Sequence, residues 1–433
     1  MNKAQKKIKP EGMKVTDVFT PSKFPEHTLI DDHLTSKKVQ LQDALEEGTT
    51  LISISGPSKS GKTVFVEDCL GKDNLIQITG AGTSSPESLW NKVFAMLGTP
   101  VDSEFSHGAK NQSGVKVEGE GGLSVALAKG SAKVSFSEDK TKEILSKSKQ
   151  TTDFLNLLIR ELSETDFIIF IDDFHYIEKS VQSEIARQIK EAIRNKVKII
   201  CASVPYHSDD VLRGNPDLRG RICSIDFDYW DSPTLQKIAY KGFDLLNIEC
   251  DKNIIENFAA EAAGSPQLMQ NLCLMFCREV EVRSAQPNRM SFVFDEKNFD
   301  GACKRTVVSA DYSSVVSKVL DGPKTRGSDR KLYKTRFGWE GDVYKLLLKA
   351  FASNPPTLNF RYQELTDRVA SIVEKDATAP SGSSVTGACQ HAASIANSSA
   401  GNSIVEWDSD NDVFDIRDPY FLFYLRWAEV LDR

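Results

Sequence analysis

An α/β fold with a largely parallel central sheet is predicted for this 433-residue chain, and three observations predict it. Over the first half, apolar runs of strand length alternate with helical patterns, the arrangement that yields parallel pairing under covering helices. The run Leu51-Ile52-Ser53-Ile54-Ser55 enters a glycine-rich turn and then a helical pattern over 64–70. A further run, Phe167-Ile168-Ile169-Phe170-Ile171, is apolar throughout and ends on two acids, as a strand buried on both faces does at its carboxyl tip.

The other elements follow in order. Strands are expected at 74–79, 197–203 and 224–227, with helices at 86–97, 152–162 and 180–194 between them. The stretch 103–148 interrupts the alternation. It is polar and glycine-rich, with short alternating segments, and reads as a hairpin-like surface insertion, either a functional arm or a bland excursion. After Tyr229 the pattern turns helical at 232–246, 251–263 and 266–280. The segment 313–339 carries seven Lys/Arg against two acids and reads as a basic linker. Three helices (342–353, 362–373, 384–397), two short strands (404–407, 413–416) and a closing aromatic helix (419–431) then give a winged-helix layout. The aromatic stripe of that last helix is read as core.

The turn Gly56-Pro57-Ser58-Lys59-Ser60-Gly61-Lys62-Thr63 is a complete G-x-x-x-x-G-K-[ST] sequence that Val64 carries into a helix. Glycines let successive N–H groups wrap an anion, and the helix N-terminus adds positive potential at the same point. Lys62 supplies a cation to the β- and γ-phosphates of a nucleotide, and Thr63 a hydroxyl to Mg²⁺. The acids after the all-apolar run are Asp172 and Asp173. Ligands gather at the carboxyl ends of strands in open α/β sheets, which puts both on the side of the loop. Asp172 is then a partner of Mg²⁺ through water. Asp173 either polarises an attacking water as general base or has a structural part. No N-K-x-D guanine signature occurs, so ATP is the expected nucleotide.

Composition bounds the rest. With 40% hydrophobic and 27% charged residues the chain is expected to be an ordinary soluble protein of two or three domains. No run approaches the roughly 20 apolar residues of a membrane span, and the basic N-terminus lacks the apolar region of a signal peptide. Eight scattered cysteines without a C-x-x-C pair read as reduced thiols, and the expected location is cytoplasmic.

Together the loop, the strand ending in two acids, the five-strand core and Gly264-Ser265-Pro266 resemble AAA+/STAND-type P-loop ATPases over about residues 26–305. The resemblance implies a P-loop NTPase parallel-sheet core with a helical lid, followed by a C-terminal winged-helix domain. Domains are accordingly expected at 1–25 (extension), 26–228 (ATPase core), 229–310 (lid), 311–340 (linker) and 341–433 (winged helix). It also implies that Ser203, closing the fourth strand, senses the γ-phosphate. Arg219 and Arg221 become candidate fingers toward a neighbouring subunit, and Pro266 belongs to the lid motif. Phe19-Thr20-Pro21 resembles the segment that closes over adenine. No Lys or Arg follows Pro266 until Arg278, which favours the STAND branch.

Three functions are compatible with these features: a nucleotide-driven switch or assembly ATPase acting on a partner protein, a DNA-associated initiator, loader or regulator, and a scaffold that binds ATP with little hydrolysis. The intact Lys62, Thr63, Asp172 and Asp173 favour at least slow hydrolysis. Charge weighs against DNA, which is read with Lys and Arg. The chain carries a net −7, and residues 341–433 hold 8 Lys/Arg against 13 Asp/Glu. The expected third helix of the winged helix contains no Lys or Arg. Expected partners are further copies of the chain, in an ATP-dependent oligomer, and an effector protein; nucleic acid is not favoured. ATPases of this look act in phage defence, in plasmid or transposon maintenance or in regulation, and the resemblance does not choose among these.

Overall fold

The computed structural model describes residues 12–99, 153–204, 212, 215–324, 330–400 and 403–431. The expected insertion at 103–148 lies outside the described residues. The chain divides into two compact units, one formed by 34–55 and 65–226, the other by 1–33, 56–64 and 227–433.

The first unit is the sheet. Helix α1 (Thr35–Glu47) precedes β1 (Leu51–Ser55), and α2 (Lys62–Leu70) follows it. Then come β2 (Leu75–Thr79), α3 (Pro86–Leu97), α4 (Phe154–Leu162), β3 (Ile168–Asp172), α5 (Lys179–Arg194), β4 (Lys198–Ser203) and β5 (Ile222–Asp226). The strands pair in the order β2-β3-β4-β1-β5, every pairing parallel. The apolar composition of the central β3, β4 and β1 reflects burial on both faces. On one face Leu51, Ile169, Ile171 and Ile199 cluster with Trp90, Phe94, Leu158 and Ile189 of α3–α5. The intervening Ile52, Ile54, Phe170 and Ile200 are equally buried on the other. Helix α3 starts where Ser85 and Ser88 exchange capping hydrogen bonds ahead of Pro86.

The second unit is mostly helical. It contains α6 (Ser232–Leu245), β6 (Ile248–Cys250), α7 (Lys252–Glu261), α8 (Pro266–Glu279), β7 (Met290–Phe292) and α9 (Glu296–Val307). These helices share one core with everything that follows them. Phe19, fully buried, packs edge-on against Phe243 at 5.3 Å. Its ring is therefore part of this core, so within the segment expected to close over adenine only Thr20 and Pro21 keep partial exposure.

The stretch expected to be a linker is largely structured. Ser313–Asp321 forms helix α10, which buries Val315, Val316 and Val319. Strands β8 (Tyr333–Lys334) and β9 (Glu340–Gly341) make a small hairpin, and Arg330 pairs with Asp342 at 2.8 Å. Valines recurring at helical spacing are the signal, and the neighbouring charges masked it. The terminal module is α11 (Val343–Phe351), β10 (Asn359–Arg361), α12 (Tyr362–Ile372), α13 (Gly382–Ala400), β11 (Val405–Asp408), β12 (Val413–Ile416) and α14 (Pro419–Trp427). Its antiparallel sheet runs β10-β12-β11, the winged-helix layout with a short strand between its first two helices. A buried pair ties α14 to α7: Arg426 donates to both carboxylate oxygens of Glu261, at 2.9 and 2.6 Å, and Trp427 Nε1 donates to Glu261 Oε2 at 2.8 Å. Among the described residues no helix is long and apolar enough to cross a membrane.

Candidate nucleotide site

The phosphate loop leaves β1 directly and is shaped by its backbone. Lys59 has φ +61° and Gly61 φ +95°; such left-handed residues turn peptide N–H groups into a concave anion seat. A Cβ on Gly56 would stand 2.4 Å from the Cβ of Phe227, so only glycine fits there. Lys62 is 9% exposed, and its ammonium donates to the carbonyls of Gly56 (2.7 Å) and Pro57 (2.8 Å), which holds the cation inside the turn. The buried Ser60 hydroxyl has no hydrogen-bond partner among the described residues. A buried hydroxyl is ordinarily satisfied, and this one fits a loop that takes a phosphate oxygen. Ser58, Thr63 and Val64 are partly exposed around the same turn.

Residues far along the chain cradle the loop. Trp230 Nε1 donates to the Ser60 carbonyl at 3.0 Å, and the place of a Cβ on Gly61 lies 3.9 Å from both Trp230 and Pro266. Pro266 opens α8 behind the capping residue Ser265, whose hydroxyl reaches the Lys59 carbonyl at 3.5 Å. Lys59 Nζ lies 2.8 Å from both carboxylate oxygens of Asp418 and 4.4 Å from the centre of the Tyr420 ring. Tyr312 donates its hydroxyl to Asp418 Oδ2 at 2.6 Å. Trp230, Tyr312, Asp418 and Tyr420 were not anticipated from the sequence. Asp418 also caps α14, its Oδ1 accepting the Tyr420 N–H at 3.0 Å.

In the sheet unit, the acids sit at the carboxyl tip of β3. Asp172 closes the strand and is partly exposed, and its Oδ1 accepts the Asp173 N–H at 2.9 Å. Asp173 adopts φ +55°, an uncommon conformation for a residue other than glycine, tolerated best by Asp and Asn. Gly80 presses against it: its N–H donates to the Asp172 carbonyl at 2.7 Å, and a Cβ there would lie 2.6 Å from the Asp173 carbonyl oxygen. Ser203 ends β4 in register with Ser55, the last residue of β1. Because all strands run the same way, Asp172 and Ser203 finish at the edge where β1 hands the chain to the phosphate loop. A five-stranded 2-3-4-1-5 parallel sheet with that loop at the end of its first strand decides the fold. This is a P-loop NTPase fold.

The arginines lie elsewhere on this fold. Arg219 and Arg221 precede β5, and the Arg221 carbonyl accepts the N–H of Leu51, the first residue of β1. Both are exposed at the amino edge of the sheet, roughly 16 Å of strand from the edge where β1 ends. Neither sits at the edge that holds the acids.

No protein-family profile matches the chain, and no curated protein does. Solved structures similar to it include the Walker-type ATPase of Pyrococcus abyssi, at 16% identity and TM-score 0.49 over 92% of this chain and 96% of that one. The ORC2 protein of Aeropyrum pernix, in its ADPNP–ADP complexes, aligns at 12% identity and TM-score 0.48 over 97% and 99%. The RuvB Holliday junction branch migration motor of Thermotoga maritima aligns at 13% and 0.37 over 89% and 91%.

The conformation of Asp173 selects the substitution that tests it. Asp173→Asn tolerates the left-handed backbone while removing the charge. ATP binding is expected to survive, and hydrolysis to fall by about 10²-fold if Asp173 is the general base. Turnover near wild type in that variant would leave Asp173 a structural role only.

Proposed function

We propose that this chain is an ATP-binding and hydrolysing switch, in which the C-terminal module reports the state of the phosphate loop to a partner protein. The observation that carries this reading is the Lys59–Asp418 contact. A side chain of the phosphate loop is held by the residue that caps the closing helix, against an aromatic ring and beside a tyrosine hydroxyl. Asp418 is only 10% exposed on its side chain and Lys59 29%, so the pair is screened less than a surface ion pair.

Lys62, Ser60 and the loop amides would bind the phosphates, and Thr63 with Asp172 would hold Mg²⁺. When bound, that ion neutralises charge developing on the transferred phosphoryl group. Asp173 would accept the proton of the attacking water, and Ser203 would contact the γ-phosphate. A phosphate chain entering the loop competes with Asp418 for the positive charge there, which gives two states of different nucleotide affinity.

The winged helix is read as a protein-facing or self-contacting module. Its third helix, α13, has no Lys or Arg, and its wing presents Asp408, Asp410 and Asp412. These would repel a phosphate backbone. Tight, strongly salt-dependent binding of duplex DNA by the full chain would favour the DNA-associated reading instead.

Removing residues 341–433 is a poor test of coupling, because it strips the shared core and leaves buried Glu261 without Arg426, a change of about 3–5 kcal/mol. Asp418→Asn is the cleaner probe. It is expected to raise ATP affinity or basal turnover on the order of 3- to 10-fold, and to do nothing further in a Lys59→Met background. Identical nucleotide binding and turnover in wild type and Asp418→Asn would remove the basis for this switch.

A further inference from the structure

The turn 79–83, between β2 and α3, is closed by a single lysine at the carboxyl edge of the sheet. Lys92 donates to the carbonyls of Thr79 (2.9 Å) and Ala81 (2.7 Å) and to the Thr83 hydroxyl (3.0 Å). An ammonium has three donors, and all three are spent on uncharged oxygens. Among the described residues no carboxylate pairs with it, and burial holds its pKa below the usual lysine value. The sign of that shift matters. The desolvation behind such a shift opposes folding fully below the lowered value, and that opposition fades as pH rises from the lowered value to the ordinary lysine value. Thr79 and Ala81 are exposed, so water can satisfy their carbonyls without Lys92. The buried Thr83 hydroxyl, by contrast, has Lys92 as its donor, so the contacts hold the turn together.

The turn itself bears on the two acids. Gly80, its second residue, donates its N–H to the Asp172 carbonyl and lies against the peptide of Asp173 too closely to admit a Cβ. Thr83 closes the turn by donating its N–H to the Gly80 carbonyl at 3.1 Å. Lys92 thus fixes the turn, and the turn clamps the Asp172–Asp173 peptide, whose second residue is left-handed and carries the second carboxylate.

We propose that Lys92 is a positioning residue for hydrolysis, holding the 79–83 turn so that Asp173 keeps one orientation toward the attacking water. The inference rests on the reading of Asp173 as general base. A reacting group displaced by about an ångström can lose up to roughly 10²-fold in rate.

The test compares wild type, Lys92→Met, Lys92→Arg and Gly80→Ala as full chains, by ATP turnover, titration with a fluorescent ATP analogue, and thermal melting. Lys92→Met is expected to lose on the order of tenfold in kcat, bind the analogue within about twofold of wild type, and melt no lower. Lys92→Arg should recover part of the rate. Gly80→Ala, which presses the same peptide from the turn side, should show the same split between kcat and affinity. Full turnover in Lys92→Met overturns the proposal. So does a variant that fails to fold, or one that loses affinity and melting temperature together, because either assigns Lys92 to stability. A wild type without turnover would overturn the general-base reading and this inference with it, whereas full wild-type turnover shared by every variant overturns this inference alone.

Discussion

Lys62→Ala is expected to bind ATP at least about tenfold more weakly than wild type, because a charge-assisted contact to phosphate is lost in a nearly buried site. The side chain is 9% exposed, and its ammonium is already held by two carbonyls inside the loop. Alanine supplies neither the cation nor the tether that draws Gly56 and Pro57 around it. Two measurements check the claim. Direct titration gives the affinity ratio, and melting with saturating Mg-ATP gives a second view. A ligand at 100 times its Kd stabilises the native state by about 2.7 kcal/mol, and a ligand that no longer binds adds nothing. Unchanged affinity in Lys62→Ala would refute the assignment of this loop.

The second large effect concerns Arg219 and Arg221. Both stand at the amino edge of the sheet, beside the start of β1, while the phosphate loop leaves from the other end of that strand. If either arginine stabilises the transferring phosphoryl group, it acts on the nucleotide of another copy. An arginine supplied in that way raises turnover by about 10³-fold or more. Arg219→Ala,Arg221→Ala subunits and Lys62→Ala subunits should each be nearly inactive. Their mixture should recover ATPase activity, because some interfaces then pair an intact arginine with an intact nucleotide site. Sedimentation with and without ATP should show nucleotide-dependent self-association. A strictly monomeric protein with full turnover, or a mixture no more active than its parts, would sink the prediction.

Much of the scaffold is legible in the sequence. The runs at 51–55 and 167–171 became β1 and β3 with shifts of at most one residue, and the strand at 413–416 has the expected bounds. Runs like these report burial by composition, and a phosphate loop needs particular glycines at particular spacing, so local sequence carries both signals. The same holds for Asp172 and Asp173, which had to follow a fully buried strand. The valines of α10 were legible in principle but lay among charges that drew the segment toward a linker.

What only the tertiary structure decided is which distant residues meet these local features. Trp230 meets Ser60 across 170 positions and Asp418 meets Lys59 across 359. Nothing in an Asp-Pro helix start betrays a second partner, because a capping carboxylate spends one oxygen locally and leaves the rest to whatever packs nearby. Phe19 in the sequence belongs to a segment resembling an adenine cover, and packing against Gly242 and Phe243 places its ring in the core instead. The edge on which Arg219 and Arg221 stand follows from the parallel register of β5 with β1, which no spacing records. Sequence determined the chemistry available to the loop and to the acids. Packing over long separations, where closure entropy is met only by the assembled core, determined which side chains hold that chemistry in place.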